Sequence, residues 1–271
     1  MAIIGLSGQK IVITGASSGI GRAMAIDAAR RGAAEIHIVA RRQNLLETLK
    51  LAILKVAPKT VVHTKALDLR DQGAVTHWLD ELSNNHAPID ILVNNAGHGD
   101  YRLFEKTEWN KTNSLLQLNV VSLVQLTQFF LPAMVARKKG AIINISSVLG
   151  LVAMPGLAAY VGSKHFVSGF SRALQSELAG TGVHVLEVCP GPVATEFEGI
   201  AVEGAAEGGK SIIEISAEEC ALQIWNALEN NKAMVVPGTA MNWAAWSLRI
   251  LPLFVQRLIS AVRGKALRSQ S

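Results

Sequence analysis

Tyr160 and Lys164 stand four residues apart in the stretch AAYVGSKHF, residues 158–166. At that spacing two helical side chains share a face, one turn apart. A phenol ionises at about pH 10 in water, roughly three units too high for a base at neutral pH. A neighbouring ammonium favours the phenolate and lowers that value. Still protonated, the same phenol can give its proton to an oxygen that gains negative charge. Two amphipathic side chains merely lying side by side would show the same spacing. The surroundings must decide, by supplying or withholding a cofactor, a second donor and a dry pocket.

A cofactor loop stands near the N-terminus. In IVITGASSGIGRAMA (11–25) an apolar run meets Gly15, Gly19 and Gly21, and a helical pattern follows. Glycine there permits positive φ and close approach of the backbone to a pyrophosphate, and the helix start aims free N–H groups at the anion. The next apolar run, EIHIVARR (35–42), ends at Ala40, Arg41 and Arg42. An NAD site usually carries a carboxylate there to hold the ribose hydroxyls. Two guanidinium groups in its place suit a 2′-phosphate, so NADP(H) is expected over NAD(H).

The elements that would position these groups alternate along the chain. Apolar runs KIVITG, EIHIVA, TVVHTKAL, IDILVNNAG, GAIINISS, VHVLEVCPG and KAMVVPG are separated by helix-like stretches such as LLETLKLAILKVAP. Continuous rather than alternating apolar strands indicate a sheet covered on both faces. The expectation is a Rossmann-type α/β fold, a doubly wound parallel sheet of about seven strands, in one domain over 1–271. Residues 192–217 fall outside this rhythm and are expected to form a lid over the site, with a plain surface insertion as the alternative. Residues 241–268 are expected to form two amphipathic helices divided at Pro252. That tail would pack on the pocket, pair subunits or lie on an anionic membrane, and its arginines and proline rule out a span.

Composition narrows the classes. The chain has 271 residues, 49% hydrophobic and 17% charged, enough for a large core and too little charge for disorder. Its net charge of +5 is scattered and carries no nucleic-acid motif. Two cysteines, with no CxxC and no Cys/His cluster, predict neither disulfides nor a metal site. The N-terminal MAIIGLSGQK lacks a basic region and a cleavage signature and reads as a lead-in to the first strand. A cytoplasmic protein is expected, with membrane association through the tail as the variant.

From about residue 8 to 195 the sequence resembles the short-chain dehydrogenase/reductase family. The resemblance rests on TGASSGIG (14–21), LDLRD (67–71), NNAG (94–97), the asparagine of LQLNVVS, the second serine of INISSVLG, YVGSK (160–164) and PGPVAT (190–195). It implies that Gly15, Ser17, Ser18, Gly19, Ile20 and Gly21 hold the pyrophosphate, with Arg41 and Arg42 at the ribose. It assigns Asp68 and Leu69 to the adenine, Asn95, Ala96 and Gly97 to the adenine ribose and central sheet, and Pro190, Gly191, Val193 and Thr195 to the nicotinamide. Tyr160 and Lys164 would serve cofactor and chemistry alike.

The same resemblance implies a catalytic set of Asn119, Ser147, Tyr160 and Lys164. Tyr160 would move the proton, Ser147 would bond the substrate oxygen, and Lys164 would tune the phenol and bind the nicotinamide ribose. Asn119 would anchor a water that links the lysine to solvent. His98, Tyr101, Leu149, Met154 and Phe197 are the candidate pocket walls, and their apolar neighbours favour a lipophilic ketone, aldehyde or alcohol. A homodimer is implied, with a tetramer as the larger assembly. Two competing readings remain: a non-catalytic NADP(H)-binding regulatory module, and a peripheral membrane protein that acts through its tail.

Overall fold

Strands made only of apolar residues can be stable only when both faces are covered, and Ile11, Val12 and Ile13 are fully buried. The computed structural model of the chain describes residues 5–85, 88–195, 214–243 and 253–269. In chain order the strands are β1 (Lys10–Thr14), β2 (Glu35–Ala40), β3 (Val61–Ala66), β4 (Ile91–Asn94), β5 (Gly140–Ile145), β6 (Val183–Val188), β7 (Val193–Ala194), β8 (Ile215–Ser216) and β9 (Met234–Val235). Seven of them form one sheet in the order β3-β2-β1-β4-β5-β6-β9, with every pairing parallel. The expected doubly wound sheet is what the chain builds.

The helices are α1 (Gly19–Arg30), α2 (Gln43–Val56), α3 (Gln72–Asn85), α4 (Trp109–Leu116), α5 (Ser122–Ala136), α6 (Ala158–Glu177), α7 (Ala217–Glu229) and α8 (Leu253–Ser269). One face of the sheet packs against Met24 of α1, Leu46, Leu49 and Ile53 of α2, and Trp225 of α7. The opposite face packs against Trp78 of α3, Leu126 and Phe130 of α5, and Leu174 of α6. The chain runs outward from β1 through β3 and returns to β4 beside β1. Connections leave in opposite directions there, so a crevice opens at the carboxyl ends of β1 and β4.

Two local features bear on the site. Between α4 and α5 the backbone takes one wide π turn at Gln117–Val121, which contains Asn119. The ends of the segment expected as a lid are joined to each other. Val193–Ala194 and Ile215–Ser216 pair in parallel as a small ribbon, and Ser216 caps α7 by accepting a bond from the Glu219 N–H. Residues 196–213 and 244–252 lie outside the described residues, as do Phe197 and the Pro252 division.

Trp225 has no solvent exposure, and its indole N–H donates to the Met24 carbonyl at 3.1 Å, tying α7 to α1. Trp225→Ala is expected to cost about 3–5 kcal/mol in urea denaturation, as emptied aromatic sites do. Trp109, which is 70% exposed, serves as the internal control: Trp109→Ala should stay within about 0.5 kcal/mol. Equal losses in the two variants would contradict this account of the core.

Candidate active site

Tyr160 and Lys164 face inward from the first turns of α6, and both are buried. The Tyr160 hydroxyl is hydrogen-bonded to Ser147, which sits just past the end of β5. Ser147 Oγ also accepts from the Leu149 N–H at 3.1 Å, which fixes its rotamer. Its neighbour Ser146 turns the other way, donating to the Lys164 carbonyl at 3.0 Å and meeting Ser168 Oγ at 2.8 Å. That serine therefore anchors α6 to the sheet.

The electrostatics differ from the spacing-based expectation. Burial pushes the Tyr160 phenol up to about 12, and the bond to Ser147 only partly opposes it. The Lys164 ammonium stands 5.7 Å from the phenol ring centroid and donates to the Ile145 carbonyl at 2.9 Å. Burial holds that ammonium down at about 8. Desolvation thus dominates both groups, and the protein alone keeps the phenol protonated.

Asn119 completes the cluster from the π turn. Its Oδ1 accepts from the His98 N–H at 3.0 Å, while Nδ2 donates to the His98 carbonyl at 3.0 Å and to Ser163 Oγ at 3.1 Å. Gly97 lies between Asn119 and Lys164: a Cβ there would stand 3.1 Å from Asn119 Oδ1 and 3.6 Å from Lys164 Nζ. Any larger residue would crowd the gap between them.

The crevice fits a dinucleotide on features of its own. A Cβ on Gly15 would meet Ala96 Cα at 2.8 Å, and one on Gly21 would meet Gly15 O at 2.7 Å, so the loop packs backbone to backbone. Gly15 and Gly19 both have positive φ, near +65° and +54°. Ser18 stands at the N-cap of α1 without a side-chain bond to the helix N–H groups, and the first turn carries no acidic residue. The helix start therefore suits an anion. Arg42 donates to Ser18 Oγ at 2.9 Å and to Ser17 Oγ at 3.1 Å, which sets its guanidinium beside the loop, with exposed Arg41 next to it. Thr195 packs its methyl on Gly19, and Pro190 accepts from the Val148 N–H, so the 190–195 loop lies across from the glycine loop.

Several groups have roles that the sequence does not give them. Thr14 Oγ1 accepts from the N–H groups of both Asn95 and Ala96 and donates to the Val93 carbonyl, joining the ends of β1 and β4. Asn94 donates to Thr127 and Asn144, and Asn144 donates to Ser171. A lone polar residue in an apolar strand was the available signal for Thr14 and Asn144. Asp68 is gripped by Arg70, whose hydrogen bonds hold its carboxyl below the usual range. The basic residue two positions on was the available signal for Arg70. Leu69 is buried beneath them, and Ile20 packs on the core.

Tyr101, Leu149 and Met154 pack with Leu116 and Val161 against a buried cluster of Leu115, Leu157 and Tyr160, so three of the five candidate pocket walls share one apolar cluster with the tyrosine. His98 lies beside Asn119, with its imidazole pKa lowered by burial. Helix α8 covers this wall. Leu267 is 3.1 Å from where a Gly156 Cβ would be, Tyr101 is 3.4 Å from the same point, and Arg268 pairs with Glu105 at 2.8 Å.

A family model described as short chain dehydrogenase matches residues 9–205. The dehydrogenase/reductase SDR family protein 7-like of Anopheles gambiae is 32% identical over 277 residues, covering 97% of this chain and 86% of that protein. Human dehydrogenase/reductase SDR family member 7 is 35% identical over 196 residues, 71% of this chain. The match spans 57% of that human protein's length, and 16% of a matched glycine betaine reductase from Emericella nidulans. Among solved structures, a short-chain dehydrogenase from Sphingobium yanoikuyae in complex with NADPH superposes with a TM-score of 0.79 at 29% identity, covering 88% of this chain and 92% of that one. The family model covers well over half of the chain and the Anopheles relative nearly all of it, so the chain belongs to the short-chain dehydrogenase/reductase family.

Proposed function

We propose that the protein is an NADP(H)-dependent oxidoreductase that interconverts a lipophilic ketone or aldehyde and its alcohol, with Tyr160 as acid and base. The observation that carries this reading is a buried Tyr160 hydroxyl bonded to Ser147, inside an apolar wall and next to Lys164. A bound nicotinamide would give or accept the hydride. Ser147 Oγ and Tyr160 Oη together offer two hydrogen bonds to one substrate oxygen. In reduction Tyr160 releases its proton from Oη to that oxygen as negative charge grows on it. The phenol pushed up to about 12 is loaded for this role at neutral pH. Lys164, held near 8, can hand on a proton at neutral pH, and Asn119 keeps the lysine's surroundings in place.

Arg42 beside Ser17 and Ser18, with Ala40 at the end of β2, supports a 2′-phosphate, and the Sphingobium protein binds NADPH. The apolar ring around Tyr160 supports a lipophilic substrate, and α8 over Gly156 supports a tail that packs on the pocket. A homodimer is the assembly proposed, across the depression lined by Val120, Val121, Val124 and Gln128. We place the protein in the cytoplasm, in keeping with two buried thiols.

Tyr160→Phe should reduce turnover at least about a hundredfold on any carbonyl found by an NADPH-absorbance screen, while NADPH still binds in a fluorescence titration. Full turnover in that variant would sink the assignment. Arg42→Ala should raise the KM for NADPH about ten- to a hundredfold and leave that for NADH unchanged. A parent enzyme that prefers NADH would overturn the reading of Ala40, Arg41 and Arg42.

The lysine gives a pH test. Its folded pKa of about 8 lies below the ordinary 10.5, so the folded state binds fewer protons between those values and stability rises with pH there. Relative to Lys164→Met, the parent should gain about 2–3 kcal/mol of unfolding free energy between pH 7 and 10.5. A flat difference would mean that the ammonium is well solvated.

A further inference from the structure

On β2 and β3, toward the N-terminal ends of the strands and away from the nucleotide crevice, three side chains converge. Glu35 and His37 are two residues apart on one face of β2, and His63 lies opposite His37 in the β2–β3 register. His37 Nε2 is 2.8 Å from Glu35 Oε1, and His63 Nε2 is 3.2 Å from that same oxygen. The rings stack with centroids 4.5 Å apart and planes 14° apart, so both present the same nitrogen to the same carboxylate. All three ligand atoms lie within 4.8 Å of one another.

We propose that Glu35, His37 and His63 form a binding site for a first-row divalent cation, zinc or nickel by the chemistry of the donors. Two imidazoles and one carboxylate suit these ions. Metal–ligand bonds of about 2.0–2.2 Å place tetrahedral donors roughly 3.3–3.6 Å apart; His63 at 3.2 Å is near that spacing, and His37 at 2.8 Å reaches it by moving back about half an ångström. On binding, each imidazole carries its N–H on Nδ1 and gives its Nε2 lone pair to the ion. Lys10 Nζ bonds Glu35 Oε2 at 2.9 Å, which orients the carboxylate with Oε1 toward the two imidazoles. His37 and Glu35 are nearly buried while the His63 side chain is 37% exposed, so water can reach the remaining positions from the His63 side. The two histidines are 26 positions apart in the sequence, too far for a short metal motif, and the sheet register brings them together.

The test is isothermal titration calorimetry of the chelator-treated full-length protein with zinc chloride and with nickel chloride in a non-coordinating buffer. One ion per chain is expected, weakened at least about tenfold in both His63→Ala and Glu35→Gln. Cobalt(II) should give visible absorption bands that His63→Ala removes. His77→Ala, which touches the separate His77–Glu81 pair at 3.1 Å on α3, should leave binding intact. His63 stands on the edge strand, and an unchanged metal-free melting curve for His63→Ala would show that its fold is kept. No measurable binding by the parent, or binding that survives both Glu35→Gln and His63→Ala, overturns the proposal. Binding lost in His77→Ala but kept in His63→Ala overturns it too. None of these residues touches Tyr160 or the glycine loop, so carbonyl turnover reads independently.

Discussion

Everything at the crevice depends on how closely two strand ends can approach. The glycine loop after β1 lies against residues 95–97 after β4, with room for no Cβ at Gly15 or Gly21. Thr14 holds the two ends together through one hydroxyl that serves three backbone groups. Separate them by the width of a methyl group and the start of α1 no longer faces the crevice. The carboxamide of Asn95 reinforces this closure by donating back to the Thr14 and Gly15 carbonyls. Nucleotide recognition and the core of the sheet are therefore one packing problem.

A second balance sits on α6. Burial raises a phenol and depresses an ammonium, so the same dry surroundings hold the Tyr160 proton on and loosen the one on Lys164. Tyr160 and Lys164 are both buried, and a hydrogen bond in such surroundings is stronger than one in water. The apolar wall has an electrostatic role as well as a steric one.

Strand–helix alternation, the glycine loop and the tyrosine–lysine spacing were legible because each is a local pattern with few physical alternatives. Burial energies were not, because they depend on what distant segments bring. Spacing pointed to a phenol lowered by its lysine, whereas Ile145 takes the ammonium's hydrogen bond and desolvation sets the direction. Arg70 on Asp68 and the meeting of His37 with His63 were hidden for related reasons: one needs a side-chain conformation, the other a strand register. The small ribbon of Val193–Ala194 with Ile215–Ser216 is too short to have a period at all.

The π turn at Gln117–Val121 amounts to one extra residue inserted into an otherwise continuous helical run. Because a single insertion makes the bulge, a single deletion would heal it and leave α4 and α5 in phase with the sheet. The helix would become more regular while Asn119 lost its grip on the backbone of His98 and on Ser163. Helical regularity and the hydrogen bonds of Asn119 pull in opposite directions at this one turn. An indel there would be a mutation of the site that leaves the scaffold whole.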